Sequence, residues 1–215
     1  MTALIVTGTD TGVGKTVVSA MLTLALNGVY WKPIQAGTAG GTDKKRVAEL
    51  TGLPASRFRA ERYVLREALS PHLAAELDDM DIETETLELP TDIPPDCRLI
   101  VEGAGGVLVP LNRATLQVML FARWRAPVVL CARTTLGTIN HTLLSLEALK
   151  HREIEVMGII FVGNAMPDSE RTIVELGKTK RLGRLPMLPQ LNAATLMKAF
   201  EANFDQRDFE AVHER

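Results

Sequence analysis

Nine residues near the N-terminus, from Gly8 to Thr16, have the types and spacing of a loop that binds phosphate. They read Gly-Thr-Asp-Thr-Gly-Val-Gly-Lys-Thr, follow a short apolar run and precede a helical pattern of apolar residues. Glycines let successive backbone N–H groups face one anion, and the start of a helix adds partial positive charge. Lys15 is then expected to reach the terminal phosphates of a nucleotide, and the Thr16 hydroxyl to bind Mg²⁺.

The loop departs from the usual pattern in its length. The standard motif has glycine five residues before Gly14, where this chain has Thr9, and Gly8 lies one residue earlier. We therefore predict a loop that is one residue longer than usual or differently wound. An ordinary turn before a helix is the alternative interpretation.

Charged residues follow two further apolar runs. Lys32 lies at the end of a predicted strand, where it could offer its charge to a phosphate or carbamate or be a solvated surface lysine. Asp43 begins a helical segment, either as its N-cap or as a metal contact. Glu102 ends the buried run Leu99–Val101 and precedes Gly103, so we expect it at Mg²⁺.

Two other strand ends carry candidate binding groups. The segment Thr134–His141 follows a predicted strand and opens a helix whose exposed N–H groups can bind an anion, whereas His141 is interpreted as a structural residue. Asn164 ends another apolar run, and its amide is either a base contact or part of a turn. Because a phosphate loop binds phosphates, the loop leaves the base preference open.

Apolar strand-like runs alternate with helix-like segments along the 215 residues. Strands are predicted at about 3–7, 29–34, 98–102, 127–132, 156–162 and 182–186, and helices at about 14–26, 43–51, 114–124, 137–150 and 168–179. This order predicts an α/β fold of the P-loop NTPase type, with a parallel sheet wound by helices on both faces. We expect one domain over residues 1–215 with a C-terminal helix at about 193–212, broken near Asp205, that packs on its own core or at an interface.

Composition limits the classes of partner and compartment. The net charge of −2 gives no bulk attraction to nucleic acid or to a membrane surface. Two cysteines, Cys97 and Cys131, do not form a disulfide scaffold, and the N-terminus lacks the pattern of a signal peptide. We therefore expect a protein of the reducing cytoplasm, without a membrane span.

Five segments together resemble the dethiobiotin synthetase family over about residues 1–190. They are the Gly8–Thr16 loop, Lys32–Gly37, Ser70–His72, Glu102–Gly106 and Leu136–His141. The chain has Ala36 where some members have serine, so a hydroxyl contact to substrate is lost or supplied by Thr38. Thr135 replaces a lysine found in some members.

The resemblance implies an ATP-dependent cyclo-ligase of biotin synthesis that uses Mg²⁺. Its substrates would be 7,8-diaminononanoate and CO₂. One amine would take up CO₂ as a carbamate, the carbamate would attack the γ-phosphate, and the second amine would close the cyclic urea and expel phosphate. In the family the helix start at Gly137 comes from the partner subunit, so the resemblance implies a homodimer with shared active sites.

The motifs and the resemblance together give a predicted site. The predicted catalytic residues are Lys15 and Lys32. The predicted nucleotide-binding residues are Thr11, Gly12, Val13, Gly14, Lys15, Thr16, Val17, Glu102 and Asn164. The predicted substrate-binding residues are Lys32, Gln35, Thr38, Gly105, Gly137, Thr138 and Asn140. The predicted metal ligands are Thr16, Asp43 and Glu102.

Rival functions of the same fold remain open at this stage. A partitioning or maturation ATPase would carry a lysine five residues before Lys15, where this chain has Asp10. A synthetase acting on a large tetrapyrrole acid would need a second, glutaminase domain. A nucleotide-binding module without chemistry would have no need of Lys32 and Glu102 at neighbouring strand ends.

Overall fold

A computed structural model gives the structure of residues 3–210, in which strands and helices alternate along the chain. The strands are β1 (Ala3–Gly8), β2 (Gly28–Trp31), β3 (Ile34–Ala36), β4 (Tyr63–Leu65), β5 (Arg98–Gly106), β6 (Val128–Arg133), β7 (Val156–Val162) and β8 (Arg181–Leu185). The helices are α1 (Lys15–Ala25), α2 (Asp43–Thr51), α3 (Pro71–Leu77), α4 (Gln117–Trp124), α5 (Thr138–Lys150), α6 (Pro167–Gly177), α7 (Ala193–Asn203) and α8 (Arg207–Glu210).

Six of the strands form one sheet in the order β2-β5-β1-β6-β7-β8, and every pairing is parallel. Ile5 on the central strand β1 lies opposite Val101 of β5 and Val128 of β6, and all three are fully buried. Continuous burial of this kind is what a strand covered on both faces requires. The parallel arrangement brings the carboxyl ends of β1, β2, β5 and β6 to one edge of the sheet.

Helices cover both faces of this sheet. Apolar residues of α1, α2 and α7 pack on one face, and those of α3, α4, α5 and α6 pack on the other. The prediction of a parallel sheet wound on both sides is confirmed. None of the helices within residues 3–210 is long and apolar enough to cross a membrane.

The predicted strand at 29–34 is wrong in its extent. The strand β2 ends at Trp31, and β3 begins at Ile34 in a separate parallel pair with β4. Pro33 lies at the break, and it has no N–H with which to continue a ladder. Its carbonyl instead accepts hydrogen bonds from the backbone N–H groups of Arg62 and Tyr63, at 2.8 and 3.0 Å.

The C-terminal helical segment is divided. The helix α7 ends at Asn203, Phe204 forms an isolated bridge with Gly183, and α8 follows at Arg207. Phe200 stacks on Phe204 with ring centroids 5.4 Å apart, and this aromatic group packs on the α1 face of the sheet. Residues 211 and 212 of the predicted helix lie outside the described residues.

Candidate active site

The phosphate loop connects β1 to α1. Gly8 ends the strand, and a Cβ there would lie 2.6 Å from a methyl carbon of Val13, so the chain requires glycine one residue earlier than the standard motif does. Gly14 is the N-cap of α1 with φ 97°, a conformation that other residues adopt only with strain. The loop thus presents backbone N–H groups and a helix start toward the open edge of the sheet.

Lys15 is the first residue of α1 and is folded back over the loop. Its ammonium group donates to the Asp10 carbonyl at 2.9 Å, and the residue is only 6% exposed. Burial lowers the pKa of Lys15, against the opposing effect of Glu102. A partly dehydrated ammonium group of this kind interacts strongly with an arriving phosphate.

Arg133 fixes the loop from the side, and sequence reasoning missed it. It lies at the end of β6 and donates to the Asp10 carboxylate at 2.8 Å and to the Thr11 carbonyl at 3.3 Å. The available signal was topological, because β6 pairs with β1 and so ends beside the phosphate loop.

Thr16, Asp43, Glu102 and Lys32 meet beside the loop. The Thr16 hydroxyl lies 2.9 Å from Asp43 Oδ1 and 3.0 Å from Glu102 Oε1. Lys32 Nζ lies 2.5 Å from Asp43 Oδ2 and 3.1 Å from Glu102 Oε1. The structure therefore brings together the three predicted metal ligands and one predicted catalytic lysine.

The pKa shifts of Lys32 and Asp43 favour their charged forms. Burial alone would lower the pKa of Lys32, but the Glu102 and Asp43 carboxylates outweigh it and the pKa is raised. Burial would likewise raise the pKa of Asp43, yet Lys32 beside it brings the pKa below its usual value. Asp43 does not cap α2, because Thr42 does so through a 3.2 Å hydrogen bond from Lys45 N. The capping interpretation of Asp43 is wrong.

The donor set of the cluster fits Mg²⁺. A hydroxyl has one hydrogen to donate, so Thr16 can satisfy only one of the two carboxylate oxygens that it faces at any moment. A cation among these oxygens would remove that conflict. Within residues 3–210 no group of three or more His, Cys, Asp or Glu side chains is arranged to hold a metal. Two carboxylates and a hydroxyl suffice for Mg²⁺, which keeps several waters and shares phosphate oxygens with its protein ligands.

Two buried residues outside the cleft, Tyr30 and Gln35, form hydrogen bonds with Glu102 and Asp43. The Tyr30 hydroxyl donates to Glu102 Oε2 at 3.0 Å, and burial followed by the Glu102 charge raises the pKa of Tyr30 well above its usual range. Gln35 accepts from Asp43 N at 2.9 Å and donates to the carbonyls of Ala36 and Gly37. Tyr30 was not predicted, and Gln35 is engaged with backbone rather than with the cleft.

The cluster lies in a cleft of about 560 Å³. Its polar wall contains the loop, Lys15, Thr16, Lys32, Asp43 and Glu102, and Gly105 completes it. The rest of its lining is mostly apolar and consists of Ala36, Ala68, Leu69, Ser70, Pro71, Ala104 and Val109. Thr38 does not line this cleft. A charged end and an apolar side suit a substrate with a reactive polar end and an alkyl chain.

A second cavity of about 600 Å³ lies on the other side of the loop. Its lining includes Gly12, Val13, Gly14 and Val17 of the loop and α1, Thr135 and Leu136 before α5, and Asn164 with Val162, Leu185, Pro186, Met187 and Leu188. Its largely apolar lining suits a flat base. Gly137, Thr138 and Asn140 line neither cavity, and the Thr138 hydroxyl donates to the Arg133 carbonyl at 2.5 Å.

This fold and loop define a nucleotide-binding protein of the P-loop class. The chain superposes on the cell division ATPase MinD of Pyrococcus furiosus with a TM-score of 0.53 and 12% identity, over 98% of this chain and 99% of that one. Residues 2–195 match the family model described as an AAA domain. The structural likeness concerns the fold alone.

Sequence similarity is much closer to synthetases. The chain is 57% identical over 206 residues to the ATP-dependent dethiobiotin synthetase of Rhodopseudomonas palustris, covering 96% of each chain. It is 55% identical over 208 residues to that of Nitrobacter hamburgensis, covering 97% of each. The chain belongs to the ATP-dependent dethiobiotin synthetase family, and the prediction of an ATP-dependent ligase is confirmed. Asp10, held by Arg133, occupies the position where a partitioning ATPase would carry its lysine.

Proposed function

We propose that this cleft joins CO₂ to 7,8-diaminononanoate at the expense of the γ-phosphate of ATP. The observation that carries the proposal is the convergence of Lys15, Lys32, Thr16, Asp43 and Glu102 at one open edge of the sheet. A carbamate beside three phosphates concentrates negative charge, and two buried lysines are what such a reaction needs.

Each step can be assigned to groups of the chain. The carbamate formed on one amine attacks the γ-phosphate and gives a carbamic–phosphoric anhydride with release of ADP. The second amine then attacks the carbonyl carbon and expels phosphate, which closes the cyclic urea. Lys15 holds the β- and γ-phosphates, and Lys32 holds the carbamate against the γ-phosphate.

Mg²⁺ would be held by Thr16, Asp43 and Glu102, together with the phosphates. Its chemistry there would be neutralisation of the phosphate charge during transfer. The nucleotide is bound by the backbone or side chains of Thr11, Gly12, Val13, Gly14 and Val17. Asn164 contacts the base. The apolar wall at Leu69 and Val109 receives the alkyl chain, and Gly105 lets it approach the loop closely.

The carboxylate end of the substrate requires a separate anion site. Gly137, Thr138 and Asn140 supply it from the partner subunit of a homodimer. This assignment is supported by their position outside both cavities of their own chain and by the exposure of Asn140. Both cysteines are free, buried thiols, which supports a reducing cytoplasm as the site of the reaction.

The test is ADP release by the purified protein with and without diaminononanoate and bicarbonate. We expect ADP to form only when both are present, with one cyclic urea per ADP by mass spectrometry. A nonanoate that carries a single amine is the matched control, because it can form a carbamate but cannot close the ring. ADP release that is equal without the diamine would overturn the proposal.

A further inference from the structure

Glu102 is held through both of its carboxylate oxygens, and the two sets of partners differ. Thr16 and Lys32 contact Oε1, whereas Oε2 accepts its hydrogen bond from the Tyr30 hydroxyl. Glu102 is 1% exposed and Tyr30 is fully buried, so little water can replace that hydrogen bond. An unpartnered carboxylate oxygen in this position would carry the full cost of its burial.

The partners on Oε1 are those that the reaction would engage. In the proposed function Thr16 turns to Mg²⁺ and Lys32 turns to the carbamate and the γ-phosphate. Tyr30 does not line the cleft, so its hydroxyl does not exchange Glu102 for a metal or a substrate. It is therefore the contact that can stay in place while the others change.

The packing of Tyr30 fixes the direction of its hydroxyl. The residue lies on β2 opposite Ile100 of β5, two positions before Glu102. Its ring contacts that of Phe58 edge-on, with centroids 6.5 Å apart, and belongs to the same apolar group as Val47 and Leu50 of α2. A side chain enclosed on this face has little rotational freedom, so its hydroxyl is a fixed donor.

We infer that Tyr30 is a positioning residue, which holds Glu102 Oε2 so that Oε1 stays directed at the Mg²⁺ of the nucleotide complex. The inference rests on the proposed function. Groups that orient the ligands of a metal commonly change its affinity by about 10- to 100-fold when they are removed.

The test uses Tyr30→Phe and needs no turnover. The affinity for ADP is measured by calorimetry at saturating Mg²⁺ and in EDTA, without diamine. The Mg²⁺-dependent gain is the factor by which Mg²⁺ increases the affinity for ADP. We expect the variant to bind ADP in EDTA as tightly as the wild type does, and its Mg²⁺-dependent gain to be about tenfold smaller. A readout taken at two metal levels separates a metal effect from a general loss of folding.

Tyr63→Phe is the matched control. Tyr63 is also buried, and its hydroxyl accepts a hydrogen bond from Glu83 N at 3.0 Å, away from the cleft. This variant should lower the melting temperature by a similar amount and leave the Mg²⁺-dependent gain unchanged. The inference is overturned if Tyr30→Phe keeps the full gain, or if Tyr63→Phe loses as much of it.

A second variant covers the case in which Tyr30→Phe does not fold. Substitution of 4-fluorophenylalanine for Tyr30 keeps the ring and fills the space of the hydroxyl but has no hydrogen to donate to Glu102 Oε2. It should reduce the Mg²⁺-dependent gain in ADP affinity about tenfold, as Tyr30→Phe does. An unchanged gain in this folded variant also overturns the inference. If wild-type protein itself shows no Mg²⁺-dependent gain, the proposed metal site fails instead.

Discussion

Two strand-to-helix connections in this molecule share nearly the same backbone geometry. Gly14, between β1 and α1, has φ 97° and ψ 16°, and Gly137, between β6 and α5, has φ 92° and ψ −13°. Neither helix has a side-chain cap or an acidic residue in its first turn. Both helix starts therefore have N–H groups that can face an anion, although the Thr138 N–H at the second already donates to the Thr135 carbonyl at 3.2 Å.

Their surroundings differ. The start of α1 is enclosed by both cavities and has the buried Lys15 and Lys32 beside it. The start of α5 is preceded by the fully exposed Leu136, and Asn140 on its first turn is exposed as well. A helix start becomes a binding site only where walls and charges complete it. The first has both within its own chain. At the second, Thr135 and Leu136 line the larger cavity, whereas Gly137, Thr138 and Asn140 line neither, and we propose that a partner subunit completes it.

Lys15→Ala should have the largest effect, because it removes the side-chain cation of the first helix start. Loss of one group aimed at developing charge typically costs about 10²- to 10³-fold in kcat, and we expect the upper end of that range with weaker ATP binding. Steady-state ADP release and calorimetry measure the two effects. Lys198→Ala, on the exposed side of α7, is the control and should change neither. Normal turnover in Lys15→Ala would show that the β1–α1 connection does not depend on this charge, and the difference drawn between the two helix starts would fail.

Lys32→Gln should have a smaller effect of a different kind. The glutamine keeps a donor near Asp43 and Glu102 but loses the charge, so transition-state stabilisation falls more than ground-state binding. We expect kcat to fall about 100-fold and the affinity for ATP to change less than threefold. The melting temperature of the variant is compared with that of Lys198→Gln. Equal losses in kcat and affinity would show that Lys32 only binds.

The sequence could reveal Lys15, Thr16 and Glu102 because each is tied to a local pattern. A glycine-rich turn marks the first two, and a buried strand that ends in a carboxylate marks the third. The common edge of a parallel sheet then explains why they meet. The same reasoning predicted the main strands and helices to within a few residues.

Other features depend on contacts that no local pattern contains. Tyr30 is flanked in the sequence by apolar residues, as ordinary core residues are. The hydrogen bond that distinguishes it is made to Glu102, 72 positions further along the chain. The strands β3 and β4 have three residues each, too few to show a period. Gln35 was predicted as a substrate contact because it lies in the Lys32–Gly37 segment that resembles the family, yet its side chain accepts a hydrogen bond from Asp43 N.

Asn140→Ala tests the second connection and should have the smallest effect. If Asn140 donates one hydrogen bond to the substrate carboxylate, its loss is worth about 1.5 kcal/mol. The KM for the diamine should then rise about tenfold, while kcat and the affinity for ATP stay close to wild type. Glu147→Ala, two turns further along α5 and also exposed, is the control and should leave KM unchanged.

Mixing variants decides where the second helix start acts. In a shared site, a dimer of one Lys15→Ala and one Asn140→Ala subunit contains one site with both intact residues, since each subunit lends its α5 to the other. With free exchange, about a quarter of all sites are then restored. At diamine concentrations well below KM, the mixture should therefore exceed the mean of the two separate variants by about fivefold, given the tenfold KM effect above. If subunits exchange, as shown by a tagged copy, and the activity stays at that mean, each α5 serves its own chain or none. Gly137 would then share the backbone conformation of Gly14 without taking part in a binding site.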